Sequence, residues 1–337
     1  MSLQQNISLK PYNSFGIEAR AAQLLTLEHT RELSALGKSL TAAGDRLVLG
    51  GGSNILFTRD VETTVILNRL MGISQVKESP DHVWLKVAAG ENWHRFVLHT
   101  IAAGLSGIEN LSLIPGCVGA APMQNIGAYG VEVKDTIEEV EGWHWDEQRF
   151  TILTNEECRF GYRESIFKQE LKNKVLITAV TFRLNKQAQL NTSYGAIREQ
   201  LAKMGVAEPS VRDVSDAVIA IRSSKLPDPA QIGNAGSFFK NPAIPSSQFL
   251  ALKERFPELP SYPAPDGRVK IPAGWLIEQC GWKGYREGDA GVHALQALVL
   301  VNYGNATGAQ IWQLSRKILD SVSEKFGVAL EREVNIW

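Results

Sequence analysis

Two glycine-rich stretches constrain this chain more than any other feature. Gly50-Gly51-Gly52-Ser53-Asn54 follows directly on a strand expected at 46–49. The second stretch, I-P-G-C-V-G-A-A-P-M-Q-N-I-G-A-Y-G at 114–130, sets Gly116, Gly119, Gly127 and Gly130 within fifteen residues, too rich in glycine for a regular element. Glycine lets the backbone approach another group closely and adopt positive φ. Successive main-chain N–H groups in such a turn form an anion-binding nest, here backed by the Ser53 and Asn54 side chains. One such loop is ordinarily only a tight turn. Two of them in one domain, both almost free of charge, point to a large flat cofactor with a pyrophosphate, held through main chain.

The rest of the composition narrows the class. A length of 337 residues predicts two or three domains. With 44% hydrophobic and 21% charged residues, the chain has material for a sizeable core without disulfide or metal staples. Lys+Arg is 35 against Asp+Glu 36, which argues against general nucleic-acid or membrane-surface binding and leaves only local basic positions for a small anion. Cys117, Cys158 and Cys280 are odd in number and far apart, with no C-x-x-C pair, so neither a zinc site nor a secreted disulfide framework is expected. The opening M-S-L-Q-Q-N-I-S-L-K lacks the basic and apolar regions of a signal peptide. Apolar runs such as 297–301 fall far short of the ~20 residues that span a bilayer. The expectation is a cytoplasmic protein with no metal and no obligatory protein partner.

Periodicity predicts an α+β chain. The first element expected is a helix over 30–43, with Leu33, Leu36 and Leu40 on one stripe and Gly44 as its stop. Strands are expected at 46–49, 65–68, 83–88, 137–145 and 175–184, with a helix at 91–103 carrying Trp93, Phe96, Val97 and Ile101 inward. Residues 185–210 are polar and weakly patterned, and read as an interdomain connection with something of its own. Further helices are expected at 211–222, 247–255 and 273–280, with strands at 237–239 and 297–302. Thr307-Gly308-Ala309-Gln310 matches a capping box that opens a helix with Ile311, Leu314, Ile318 and Val322 inward. After Gly327 a last strand alternates, Val328, Leu330, Val334 and Ile336 on one face and Glu331, Glu333 and Asn335 on the other.

Several motifs read as bland. Gly37-Lys38-Ser39 lacks the glycine of a phosphate-binding P-loop, since Glu32 stands five residues before Gly37. No G-x-G-x-x-G follows a strand, and the six histidines form no metal cluster. Arg222, Lys225, Lys240, Lys270 and Lys283, taken singly, are solvated surface charges. Ser237, between Gly236 and two phenylalanines, reads either as a Gly-Ser turn or as a hydroxyl placed to be dry and aimed. Glu333 is either a rim residue or a buried acid facing a cleft.

Taken together, V-L-G-G-G-S-N, I-P-G-C-V-G, Q-N-I-G-A-Y-G, C-R-F-G-Y-R, K-L-P-D-P, G-N-A-G-S-F-F-K-N-P, A-G-W-L-I and the terminal E-x-E-V closely resemble the UDP-N-acetylenolpyruvoylglucosamine reductase family. The resemblance runs from Asn13-Ser14-Phe15-Gly16 to the C-terminal strand, in order. It implies an FAD-binding domain of the vanillyl-alcohol oxidase type, made of two α+β subdomains at 1–71 and 72–210, the second with a tyrosine-bearing insert near 185–200. A C-terminal α+β substrate-binding domain would follow at 211–337. Tyr194 matches a substrate-capping tyrosine, which points to the type I subgroup.

The implied reaction is NADPH-dependent, FAD-mediated reduction of an enolpyruvyl nucleotide sugar to UDP-N-acetylmuramate, for peptidoglycan synthesis and hence cell wall, cell shape and cell division. Hydride would pass from flavin N5 to C3, with Ser237 as proton donor to C2 and with Arg163 and Glu333 polarising the carboxylate and enol. FAD contacts would come from Gly50, Gly51, Gly52, Ser53, Asn54, Pro115, Gly116, Gly119, Gln124, Asn125, Gly127, Ala128, Tyr129 and Ile177. Substrate contacts would come from Tyr194, Arg222, Lys225, Lys240, Asn241, Tyr262, Lys270, Lys283 and Gln296. Close relatives carry an arginine where this chain has Asn335, so a weaker flavin contact and lost C-terminal packing are expected.

Elementary chemistry agrees. An enol ether accepts hydride poorly unless the charge developing on its carboxylate is stabilised, the task of a cation with a hydrogen-bonding acid. The resulting enol then needs one proton on one face. Two other readings stay open: another flavin oxidoreductase of the same fold, using O₂, and a nucleotide-sugar-binding regulator without flavin.

Overall fold

Val83, Leu85 and Val87 alternate along the strand His82–Ala88 and turn one face to a large apolar core, as a half-buried strand must. In the computed structural model, which describes residues 2–40, 46–264 and 267–337, this strand lies in a five-stranded antiparallel sheet. The order is Arg149–Thr154, Ile137–His144, Val175–Asn185, His82–Ala88, Ile73–Glu78, with Val140 opposite Val180 and Phe182 opposite Leu85. The helix Trp93–Ala102 closes this core with Trp93, Phe96, Val97 and Ile101, each burial contributing roughly 1.5–3 kcal/mol. Asn92 caps it by accepting the Arg95 N–H, and Gly104 ends it at φ +72°.

A second sheet runs Ser2–Ser8, Arg20–Leu27, Val61–Asn68, Arg46–Leu49, the last two strands parallel with Leu47 opposite Val65. Leu25, Leu27 and Ile66 share a core with Leu33, Leu36, Trp143, Trp145 and Leu176. Ile197 and Leu201 of the helix Gly195–Lys203 pack on Ala217, Val218 and Ile221 of the helix Val211–Lys225.

By compactness the chain forms two units. One contains Met1–Ile7, Ala21–Gly51 and Glu62–Ser224; the other contains Ser8–Arg20, Gly52–Val61 and Lys225–Trp337. The second unit holds an antiparallel sheet ordered Gly233–Ser237, Val299–Asn302, Ala290–Val292, Arg286–Glu287, and a ribbon of Ala243–Ile244, Val269–Lys270 and Tyr262–Pro263. Its long helix Gly308–Phe326 opens on the expected capping box, Thr307 accepting the Gln310 N–H, and stops at Gly327 in the left-handed region.

Several expectations are corrected. Two strands, Ser2–Ser8 and Arg20–Leu27, precede the first helix, and the first of them is too exposed to show a pattern. That helix is a 3-10 turn, Thr30–Glu32, followed by Leu33–Ser39, while its expected stop at Gly44 lies outside the described residues. The glycine-rich stretch contains two 3-10 turns and a short ladder of Gly127–Ala128 with Val131–Glu132. Residues 185–210 carry the helix Gly195–Lys203, which packs on Ala217, Val218 and Ile221 within the first unit. The strand expected at 237–239 ends at Ser237. The last strand keeps alternating burial, but regular pairing is confined to Asn335–Ile336, parallel to Ile55–Leu56.

Candidate active site

Gly50 and Gly51, the start of the first glycine loop, meet the second loop within the first unit. A Cβ on Gly51 would stand 3.0 Å from the Gly116 Cα, and one on Gly50 3.6 Å from the Cys117 Cβ. Gly119 is pressed against Ala89, where a Cβ would fall 2.5 Å from the alanine methyl. These approaches explain the glycines: side chains would force the loops apart. Pro115 is exposed at the rim, and Ile177 is buried with its carbonyl accepting from Asn68 Nδ2 at 3.1 Å. What results is a main-chain surface without charge, which fits the diphosphate and ring system of a bound FAD.

Asn125 organises the second loop from inside. It is fully buried at φ +43°, and its Nδ2 donates to Glu132 Oε2 and Gly161 O at 3.0 Å each, while its Oδ1 accepts the Lys134 N–H. Arg163, itself at φ +55°, reaches the same loop, NH2 donating to Gly127 O at 2.7 Å and NH1 to Asn125 O at 3.4 Å. Thus Gln124, Asn125, Gly127 and Ala128 lie on one fastened turn that also fixes the Arg163 guanidinium.

Tyr129 sits next in the chain, at φ +50°. Its hydroxyl lies in the field of the Arg222 guanidinium, and its ring meets Tyr194 edge to face, centroids 5.4 Å apart. Burial pulls the Arg222 pKa below its ordinary value, the Tyr129 hydroxyl opposes that shift, and Arg222 Nε is buried without a hydrogen-bond partner. A desolvated guanidinium facing a phenol is a receptor for an anion. His94 lies close enough to feel this charge; burial first, then Arg222, lowers its pKa.

In the second unit, Phe238 joins the two candidate acid–base residues. Its N–H donates to Leu298 O at 2.7 Å and its carbonyl accepts the Glu333 N–H at 2.8 Å, so half-buried Ser237 and Glu333 stand on adjoining backbone. Gly52 belongs to the same unit: φ is +61° and a Cβ would fall 1.9 Å from Tyr12 O. Ser14 ties the pieces together, its N–H donating to Gly52 O at 3.0 Å and its Oγ to Asn234 O at 2.6 Å. Ser53 and Asn54 follow in a turn, Asn54 Nδ2 donating to Glu333 O at 3.4 Å.

The expected substrate contacts of this unit are spread. Lys270 pairs across the ribbon with Tyr262, which is 50% exposed. Asn241 Oδ1 accepts the Ala273 N–H at the start of the helix Ala273–Gln279. Gln296 Oε1 accepts the Leu298 N–H at 3.4 Å. Lys240 is paired with Glu331 at 2.5 Å and Lys283 with Glu278 at 2.9 Å, while Lys225 is exposed at the end of its helix. Arg163, Tyr129, Tyr194 and Arg222 belong to the first unit; Ser237, Glu333, Lys240 and Lys283 belong to the second.

Asn335 donates its N–H (3.2 Å) and Nδ2–H (2.9 Å) to Asn54 O, and Trp337 O accepts the N–H and the Oγ1–H of Thr58. Sequence reading also missed His94, which holds the loop N–H of Leu113, and Asn68, which holds Ile177 O of the strand Val175–Asn185, both through bonds distant in sequence that leave no local pattern. Among the described residues no cluster of His, Cys, Asp or Glu is able to hold a metal ion, and no helix is long and apolar enough to cross a membrane.

Comparison with known proteins gives two matches along the chain. Residues 21–150 match the family model of an FAD binding domain, and 228–337 match that of the UDP-N-acetylenolpyruvoylglucosamine reductase C-terminal domain. The UDP-N-acetylenolpyruvoylglucosamine reductase of Chromobacterium violaceum is 56% identical, covering 99% of this chain and 98% of that protein. The like-named protein of Flavobacterium johnsoniae is 51% identical over the whole of both chains. The crystal structure of the Thermus caldophilus reductase superposes with a TM-score of 0.69 at 27% identity, over 100% of this chain and 99% of that one.

Proposed function

This chain belongs to the UDP-N-acetylenolpyruvoylglucosamine reductase family, and on that premise we propose that it reduces the enolpyruvyl nucleotide sugar to UDP-N-acetylmuramate, a peptidoglycan precursor, with NADPH as the electron source. Its FAD-binding part is of the vanillyl-alcohol oxidase type. FAD, when bound, would supply the hydride chemistry between NADPH and C3 of the substrate. Gly50–Asn54 and Pro115–Tyr129 would hold it, Gly51 being packed on Gly116.

Protein groups handle the remaining charge and the proton. Arg163, its guanidinium held by Gly127 O, stabilises the negative charge that grows on the substrate carboxylate. Glu333 hydrogen-bonds the enol, and Ser237 delivers one proton to C2. Serine is a weak acid, so this requires a carbanion-like transition state. Lys225, Lys240 and Lys283 meet the diphosphate; Lys240 and Lys283 leave Glu331 and Glu278 to do so, the exposed Lys283–Glu278 pair at a loss of only about 0–1 kcal/mol. Tyr262, Lys270, Asn241 and Gln296 frame the nucleotide, Arg222 supplies a buried positive charge, and Tyr194 covers the bound sugar.

The observation that carries this reading is the backbone junction at Phe238, whose carbonyl accepts the Glu333 N–H and so brings the chain at Glu333 beside the residue that follows Ser237. The test is NADPH oxidation with and without the enolpyruvyl substrate. Yellow protein absorbing near 450 nm, with consumption of NADPH strongly dependent on the sugar, is the expected result. Rapid consumption by O₂ alone, unaffected by the sugar, would overturn it in favour of an oxidase.

A further inference from the structure

The last segment of the chain alternates, and one position breaks the pattern. Val328, Leu330 and Val334 are buried, yet the residue between Leu330 and Val334 on that same face is Arg332. The helix Gly308–Phe326 has a matching exception. Its buried stripe of Ile311, Leu314, Ile318 and Val322 also contains Ser315, 0% exposed. The two polar groups meet. Arg332 Nε donates to Ser315 Oγ at 2.8 Å, the hydroxyl donates onward to Trp312 O at 2.6 Å, and the guanidinium stands 5.8 Å from the centre of the Trp312 ring.

Stability does not explain the choice of arginine. Its NH2 is buried without a hydrogen-bond partner, which costs free energy. Burial first, then the charge of Arg316, lowers the Arg332 pKa, and Asp320 opposes them. A well-packed apolar side chain in place of a buried charge is often neutral or stabilising. What a polar pair on two apolar faces does supply is register. Arg332 meets Phe239 in an isolated bridge, flanked by the bonds from Lys240 N–H to Glu331 O and from Glu333 N–H to Phe238 O. Regular pairing resumes only at Asn335–Ile336. So short a ladder specifies register weakly, and a slip by one residue would exchange the two faces. Arg332 would then turn away from Ser315, and Glu333 would turn towards the helix.

We infer that Arg332 is a positioning residue for Glu333: its guanidinium, seated on Ser315, fixes the register that keeps Glu333 on the face away from the helix Gly308–Phe326. The inference rests on the reading of Glu333 as the acid that hydrogen-bonds the enol. It adds that the placement of this carboxylate depends on a side chain of the opposite face, fastened to a helix that takes no part in the chemistry. The segment accepts poorer packing at position 332 and in return has one placement for its acid.

Arg332→Met puts an apolar side chain of similar length on the buried face. In the flavin-loaded full chain its melting temperature is expected to hold or rise. The step with the enolpyruvyl sugar should slow about ten-fold in kcat, while flavin reduction by NADPH stays within about two-fold. Ser315→Ala removes only the acceptor and should slow the same step about three-fold; added to Arg332→Met it should cost nothing further, because the two groups act as one pair. Hydrogen exchange over 330–335 should quicken in both variants. A merely structural role lowers the melting temperature and slows both half-reactions alike. That result, an unaltered sugar step in Arg332→Met, or additive losses in the double variant, overturns the inference. If Arg332→Met does not fold, Ser315→Ala decides by the same readings. If Glu333→Gln leaves the sugar step at full rate, the reading of Glu333 fails instead, and exchange over 330–335 in Arg332→Met still decides whether Arg332 holds the register.

Discussion

A Cβ built on Gly127 would stand 3.0 Å from Val131 O, 3.1 Å from Glu132 Cγ and 3.3 Å from Arg163 NH1. The constraint is close approach: Gly127 is not among the residues with positive φ, whereas Gly52 and Gly130 are. Gly127→Val is therefore expected to push the Arg163 guanidinium off its carbonyl and open the loop, so that the purified variant loses most of its flavin. Full occupancy, measured as the ratio of absorbance at 450 to 280 nm, would show that this turn is not the cradle. Ser237 calls for a different measurement. Consumption of NADPH needs no proton from the protein to carbon, so Ser237→Ala should leave that half-reaction within about three-fold, whereas reaction with the enolpyruvyl sugar should slow by ~10²–10⁴-fold. Binding should hold, since the hydroxyl meets neither diphosphate nor uridine, and the loss should appear in kcat. Stopped-flow traces of each half-reaction decide; equal slowing of both would make Ser237 a pocket-shaping residue.

At the scale of elements, the helix Trp93–Ala102 shows what periodicity carries and what it leaves out. Trp93, Phe96, Val97 and Ile101 announce the helix and its buried face. Nothing in their spacing announces that its first turn fastens the glycine loop. Trp93 donates its N–H to Gly116 O and its Nε1–H to Leu111 O, and His94 Nδ1 accepts the Leu113 N–H at 3.0 Å. Leu113 is at φ +59°, so the accepted bond supports a strained residue. Strands Ser2–Ser8 and Ile73–Glu78 escaped notice for the opposite reason: as exposed edges they have no buried face to create alternation.

The His94 contact is titratable. Burial and the Arg222 charge hold its pKa below the ordinary 6.5, so the unfolded chain takes up the proton more readily than the folded one. Stability from the neutral ring is then complete above about pH 6.5 and declines as pH falls below it. Carboxylates elsewhere also take up protons in acid, so the comparison must be internal. His94→Gln, whose carbonyl accepts the same N–H without titrating, should lose less melting temperature than the parent between pH 7.5 and 5.5. Parallel losses in the two proteins would mean His94 does not gate the turn.

The whole molecule is where the sequence was least legible. Motifs located the glycine loops, Ser237 and Glu333, yet the units are discontinuous: residues 8–20 and 52–61 belong with the C-terminal part. Ser14 reaches Asn234 across 220 positions, and Phe15 O accepts the Asn302 side chain across 287. Local periodicity cannot encode such pairings, because each is chosen by packing among elements already formed. A consequence for kinetics follows from charge. NADPH and the nucleotide sugar both carry a diphosphate, and the basic groups assigned to it are few: Lys225, Lys240 and Lys283, two of them already paired with glutamates. If the same lysines receive both ligands, the two cannot be held together. Initial-rate lines should be parallel, as in a ping-pong mechanism. Excess sugar should inhibit, and raising NADPH should relieve it. Lys240→Ala and Lys283→Ala should raise KM for both ligands together, and added salt should act in the same direction by screening the lysines. Intersecting lines, or a lysine variant that weakens one ligand and spares the other, would establish separate diphosphate sites and a ternary complex.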